Sequence, residues 1–172
     1  MSDAPSADVY VAAGSNVDAA NNLQRAAREL CREFGRVRFS SVYRNAAVGF
    51  EGEDFLNFVA AFRTTQAVEE VVGRLQNIEG LCGRERDAPK WAPRSMDLDI
   101  LVFGDRVCDL PGLVLPRPDL LKRPYMLGPM AELAPDFLHP TRLSTMAQLW
   151  ENFDRAAHSM VRVEIGLDSA TE

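Results

Sequence analysis

Apolar residues recur along this chain with two different periods, and the alternation between them outlines the fold. After a short lead, Val9–Ala13 is a compact apolar run that stops at Gly14-Ser15-Asn16, the pattern of a buried strand leaving into a turn. Leu23, Ala27, Leu30, Cys31 and Phe34 then repeat at helical spacing. They predict a helix from Asp18, its candidate N-cap, to Phe34, with Gly35 as the stop. Val37–Tyr43 alternates as a half-buried strand does, with Val37, Phe39, Ser41 and Tyr43 on one face. Ala47–Asp54, with two glycines and three acids, is a loop. Phe55–Thr64 reads as a strand, and Thr65 is placed to cap a helix running to Glu79 with Val68, Val71, Val72, Leu75 and Ile78 as its apolar stripe. Cys82–Arg94 is a polar, charged, proline-containing loop, long enough to be functional or disordered in a compact domain. Met96–Phe103 is the clearest strand. Leu113–Leu115 suits a short strand, Leu127–Leu133 and Thr145–Phe153 (capped by Ser144) suit helices, and Val161–Ile165 suits a last strand.

The main elements run β-α-β-β-α-β. That order matches the ferredoxin-like, split βαβ arrangement, an α+β class with helices on a mainly antiparallel sheet. No repeat or linker divides the 172 residues, so one domain over residues 9–154 is expected, followed by a tail, 155–172, of unassigned structure. The net charge of -6 argues against a broad nucleic-acid or anionic-membrane surface. Cys31, Cys82 and Cys108 are odd in number and lack CxxC spacing, which argues for free thiols in a reducing compartment. There is no basic-then-apolar leader and no long apolar span, so a soluble cytoplasmic protein is expected, as a monomer with an oligomer left open.

Asp97 and Asp99 change the picture from fold to chemistry. Two residues apart on a strand, they point to one face with Cα atoms about 6–7 Å apart. Met96, Leu98, Ile100 and Leu101 around them suggest a strand inside the sheet, where two like charges need compensation. Divalent cations would supply it, since magnesium favours one or two carboxylates with phosphate oxygens and water. Arginine pairing from the preceding loop, or an edge position in solvent, would also supply it. Seven cations bracket the pair: Arg84, Arg86, Lys90 and Arg94 before it, Arg117, Lys122 and Arg123 after it. Guanidinium groups bind phosphate oxygens bidentately, so the set suggests a phosphorylated ligand held with its metal; a solvated charged loop is the plain alternative. No P-loop or GxGxxG is present. Asn57 interrupts the apolar run Phe55–Phe62, and a ligand or a backbone group would satisfy its amide. His139 and His158 have no partner at metal spacing and receive no role.

Taken together, Ala13-Gly14-Ser15-Asn16, Phe55-Leu56-Asn57, Ile78-Glu79 with Gly83-Arg84-x-Arg86, and Trp91-x-Pro93-Arg94-x-x-Asp97-Leu98-Asp99-Ile100-Leu101 resemble the 6-hydroxymethyl-7,8-dihydropterin pyrophosphokinase family of folate synthesis. The resemblance spans residues 9–140. It implies a ferredoxin-like α/β sandwich that transfers pyrophosphate from ATP to a pterin hydroxymethyl group and releases AMP. By the same resemblance, Asp97 and Asp99 hold two Mg2+ ions, and Arg84 and Arg94 join them as catalytic residues. Gln76, Glu79, Arg86, Trp91, Ile100, Arg117 and Arg123 contact ATP. Asn45, Val48, Phe55, Asn57 and Tyr125 form the pterin pocket. Three departures stand out. Arg117 lies between Pro116 and Pro118 where the family commonly has histidine, Asn45-Ala46-Ala47 replaces Thr-Pro-Pro, and Ala13 replaces a larger aliphatic residue. They leave open a divergent enzyme with another acceptor, or a binding module without turnover.

Overall fold

The structure, a computed structural model, describes residues 5–46, 53–83, 95–155 and 160–167. Its centre is a six-stranded antiparallel sheet built from β1 (Ala7–Ser15), β2 (Arg38–Phe39), β3 (Val42–Asn45), β4 (Phe55–Thr64), β5 (Asp97–Phe103) and, last in the chain, Val161–Val163. The order is β5-β1-β4-β3 and then the Val161–Val163 strand, with β2 also on β4. Helices α1 (Ala19–Phe34) and α2 (Val68–Leu81) follow β1 and β4, which gives the ferredoxin-like order anticipated above.

The two faces of the sheet are separate cores. Val9, Val11, Ala13, Phe58, Ala60, Leu98 and Ile100 point toward the stripes of α1 and α2. Tyr10, Ala12, Val59, Ala61 and Leu101 point the other way, onto α3 (Pro124–Leu133) and α4 (Met146–Glu151). The result is three layers, because the short C-terminal helices close the second face. A hairpin, β6 (Cys108–Leu110) with β7 (Leu113–Leu115), and a 3-10 turn at Pro118–Leu121 connect β5 to α3; the Val161–Val163 strand is then β8.

Several expected boundaries move, each for a physical reason. The expected strand Val37–Tyr43 is two strands joined at Ser40. Ser40 gives its N–H to Val59 O and takes the Val59 N–H on its hydroxyl, both at 2.9 Å. Phe39 pairs with Ala60 but Tyr43 with Asn57, so one extra residue sits on this side, a bulge that reverses the facing. Phe39 therefore packs on the α1/α2 side while Tyr43 faces α3. Asp18 adopts left-handed φ 45° and gives α1 no side-chain cap; its carboxylate takes Asn21 Nδ2 at 3.0 Å instead. Ala67, not Thr65, precedes α2, and Glu69 and Glu70 in the first turn complement the helix dipole. Thr145, not Ser144, caps α4, in a reciprocal capping box with Gln148. β6 was not anticipated. The three cysteines are free thiols, two of them buried. Among the described residues, no helix is long and apolar enough to cross a membrane.

One correction bears on function. β5 is not inside the sheet but at its edge. Its free side is occupied nonetheless: Leu98 N–H donates to Glu79 Oε2 at 2.8 Å, and Leu101 O accepts from Arg117 N–H at 2.8 Å. An edge strand covered this way carries apolar residues like a central one.

Candidate active site

The antiparallel register lines up Asp97 of β5 with Gly14 of β1, Gly14 with Asn57 of β4, and Asn57 with Tyr43 of β3. Registered partners share a face, so these four form one row across the sheet. Asp99 pairs with Ala12 and Asn45 with Phe55, in the flanking rows on the same side. Two half-buried carboxylates, two buried carboxamides and two aromatic rings therefore share one end of the α3/α4 face.

Gly14 is needed in the middle of this row. A methyl group there would come 2.8 Å from Asn57 Oδ1 and 3.8 Å from the Phe55 ring. The missing Cβ is the space that the amide occupies. Asn57 Nδ2 donates to Asn45 Oδ1, and Asn45 Nδ2 donates to Ala46 O at 3.2 Å. Just beyond, Ser15 and Asn16 are buried rather than being an ordinary surface turn. Ser15 Oγ donates to Ser95 O at 2.6 Å, tying the end of β1 to the approach of β5.

Around the free edge of β5, a cleft of about 200 Å³ opens between α2 and β7. Gln76, Glu79, Ile100 and Arg117 line it together with Asp99 and Leu113, so four of the expected nucleotide contacts meet there. Arg117 Nη1 lies 3.7 Å from Asp99 Oδ1, and Arg117 Nε lies 3.7 Å from Asp119 Oδ2, without a hydrogen bond to the buried Nε. Asp99 thus links the edge cleft to the polar row. Arg123 does not line the cleft. It precedes α3 beside Tyr125, whose phenol is pushed up by burial, down by the Arg123 charge, and up again by Asp119, Asp99 and Asp97. Tyr125 therefore stands within the field of the carboxylate pair. Arg84, Arg86, Trp91, Arg94 and Val48 lie outside the described residues, as does His158.

Sequence reasoning passed over Glu132. On α3 it accepts the Tyr43 hydroxyl at 2.6 Å and the Ser41 N–H and hydroxyl at 2.8 and 2.9 Å. Burial raises its carboxyl, but these bonds and Arg162 outweigh that and leave it below the usual range; Tyr43 is pushed up to about 12, by burial first and by Glu132 next. A lone acid in the apolar stretch Leu127–Leu133 was the available signal. His139 is buried, and its Nδ1 accepts the Thr141 and Arg142 N–H groups at 3.2 and 3.1 Å, a loop-closing role.

A sequence model of the 7,8-dihydro-6-hydroxymethylpterin-pyrophosphokinase (HPPK) family matches residues 10–135. The chain belongs to that family. A 2-amino-4-hydroxy-6-hydroxymethyldihydropteridine pyrophosphokinase of Pseudomonas aeruginosa is 40% identical over 136 residues, covering 77% of this chain and 83% of its own. The protein of the same name from Synechocystis is 38% identical over 139 residues, covering 80% and 71%. Among solved structures, a Plasmodium falciparum HPPK-DHPS crystal structure superposes with a TM-score of 0.67 at 12% identity, over 88% of this chain. The chain spans 46% of that longer one, and at this identity the likeness speaks for the fold. The residues that carry the resemblance fall on the row and the cleft: the Asp-Leu-Asp carboxylates on β5, the glycine and asparagine opposed on β1 and β4.

Proposed function

We propose that this HPPK-family protein transfers pyrophosphate from ATP to the hydroxymethyl group of 6-hydroxymethyl-7,8-dihydropterin, giving AMP and the pterin diphosphate for folate synthesis. The observation that carries the reading is the position of the carboxylates. Asp97 shares a row with Asn57, and Asp99 borders the edge cleft. A nucleotide in the cleft and a flat ring beside Asn57 would meet at the pair.

The donor set suits magnesium. Asp97 and Asp99 offer hard oxygens on one face, half exposed, and among the described residues no third His, Cys, Asp or Glu joins them. Magnesium held by two carboxylates keeps positions for phosphate oxygens, unlike a closed protein cage. Two Mg2+ ions bound there would neutralise phosphate charge as it moves toward the leaving AMP.

The remaining work belongs to the chain. The acceptor oxygen attacks the β-phosphorus of ATP, the bond from that phosphorus to the α–β bridging oxygen breaks, AMP departs with that oxygen, and the hydroxyl proton goes to water. Positioning dominates such transfers, so no strong protein base is needed. Glu79 holds the edge of β5 by its bond to Leu98, and Gln76 and Ile100 line the nucleotide cleft. Arg117 stands where the family commonly has histidine and offers its charge to the phosphates; by the resemblance, Arg86 and Arg123 also serve ATP, and Arg84 and Arg94 the transfer itself. By the family resemblance, Trp91 belongs to the ATP contacts, and Phe55, Tyr125, Asn45 and Val48 to the pterin contacts. The protein acts as a cytoplasmic monomer in this reading.

With ATP, magnesium and the hydroxymethyl-dihydropterin, the protein should form AMP and a pterin product that carries both the β- and γ-phosphorus of ATP, resolved by 31P spectroscopy. Formation of ADP, or no AMP above a control without protein, overturns the proposal. A panel of pterins and other alcohols checks the acceptor.

A further inference from the structure

The orientation of the Asn57 amide is not left to the ligand. Ala46 O is an acceptor only, so the Asn45 group that meets it must be the NH2. Asn45 then presents its oxygen to Asn57, which must answer with Nδ2. Asn57 Oδ1 is in turn directed over Gly14, where a methyl group would come 2.8 Å from it. Among the described residues, no donor meets that oxygen. One backbone carbonyl thus sets the polarity of a relay running Ala46, Asn45, Asn57 across β3 and β4.

We propose that Asn45 is a positioning residue that locks Asn57 with its carbonyl toward Gly14, so that the site takes a flat ring whose edge offers an N–H donor to that oxygen. This rests on the pterin reading above and deepens it. A hydroxyl at position 45 would not do the same, because it donates or accepts as the moment requires and so leaves the amide free to turn. The carboxamide also explains how the pocket can do without the rigid prolines expected at this stretch: two fixed hydrogen bonds order the asparagine pair instead. Both asparagines are buried, at 9% and 4% exposure, so a turned amide would lose its partner without water to replace it.

The test compares Asn45→Leu, which keeps the volume but removes both hydrogen bonds, with Asn45→Asp, which keeps an acceptor for Asn57 Nδ2. For Asn45→Leu the pterin KM should rise about tenfold, the equivalent of one lost hydrogen bond. The ATP KM should stay within about twofold, because the nucleotide cleft lies beyond Asp99 on another edge. Asn45→Asp should recover most of the loss. In 15N-labelled protein without ligand, the Asn57 side-chain amide protons should exchange slowly with solvent in the wild type and in Asn45→Asp, and faster in Asn45→Leu. An unchanged pterin KM in folded Asn45→Leu, an Asn45→Asp as defective as Asn45→Leu, or equal exchange in all three proteins overturns the proposal. If the wild type fails to turn over any pterin, the functional reading falls while the exchange data still decide whether Asn45 holds Asn57.

Discussion

Gly14 and Asn57 show how much one atom decides at the residue scale. Across β1 and β4 the glycine yields its Cβ volume to an amide oxygen, and Asn45 keeps that amide from swinging away. Gly14→Ala is therefore expected to cost about 1–3 kcal/mol of stability, the usual penalty for forcing a methyl group into filled space. It should also raise the pterin KM. Denaturant unfolding and steady-state kinetics measure the two effects, and wild-type values in both would contradict the contact. In the sequence, Asn57 was visible as a polar break in an apolar run, but its partner was not. A strand-ending Gly-Ser-Asn looks like any turn until the register sets it opposite the asparagine.

Elements show the same division between what pattern reveals and what only pairing reveals. Periodicity located α1, α2 and every long strand, because each buries a stripe or an alternating face. It missed the bulge at Ser40, since a serine hydroxyl standing in for a backbone acceptor leaves no hydrophobic trace. It also placed β5 inside the sheet, because Glu79 and Arg117 cover the edge with polar groups far away in sequence. Two predictions belong at this scale. Thr145→Ala should remove the capping box of α4 and cost about 1 kcal/mol by thermal or denaturant unfolding. The Tyr43–Glu132 link between β3 and α3 should set a pH window. Glu132 titrates below its ordinary 4.5, so the stability it adds is present above that pH and lost as pH falls through the lowered value. Tyr43, raised from 10.0 to about 12, adds stability that is complete below pH 10 and lost as pH climbs toward 12. Unfolding followed against pH should lose its acid slope in part in Glu132→Gln and its alkaline slope in part in Tyr43→Phe; slopes identical to wild type would contradict the link.

The whole molecule puts an edge cleft and an amide row against one carboxylate pair. The edge cleft is made by α2, β5 and the β7–Arg117 segment, and the amide row by β1, β3 and β4; the pair belongs to both because β5 borders both. An edge strand suits the proposed chemistry, because a central strand has no free side against which a cleft can form. The family was legible in Trp91–Leu101 and the asparagine motifs. Arg117 and Asn45 were legible only as departures, since what they touch depends on the folded chain. AMP release from ATP in the presence of magnesium and 6-hydroxymethyl-7,8-dihydropterin, compared between wild type, Asp97→Asn and Asp99→Asn with unfolding curves confirming that all three fold, tests the central role of the pair most directly. The wild type should release AMP, and each variant should lose about a hundredfold or more of that rate. A folded variant releasing AMP at the wild-type rate would contradict the account.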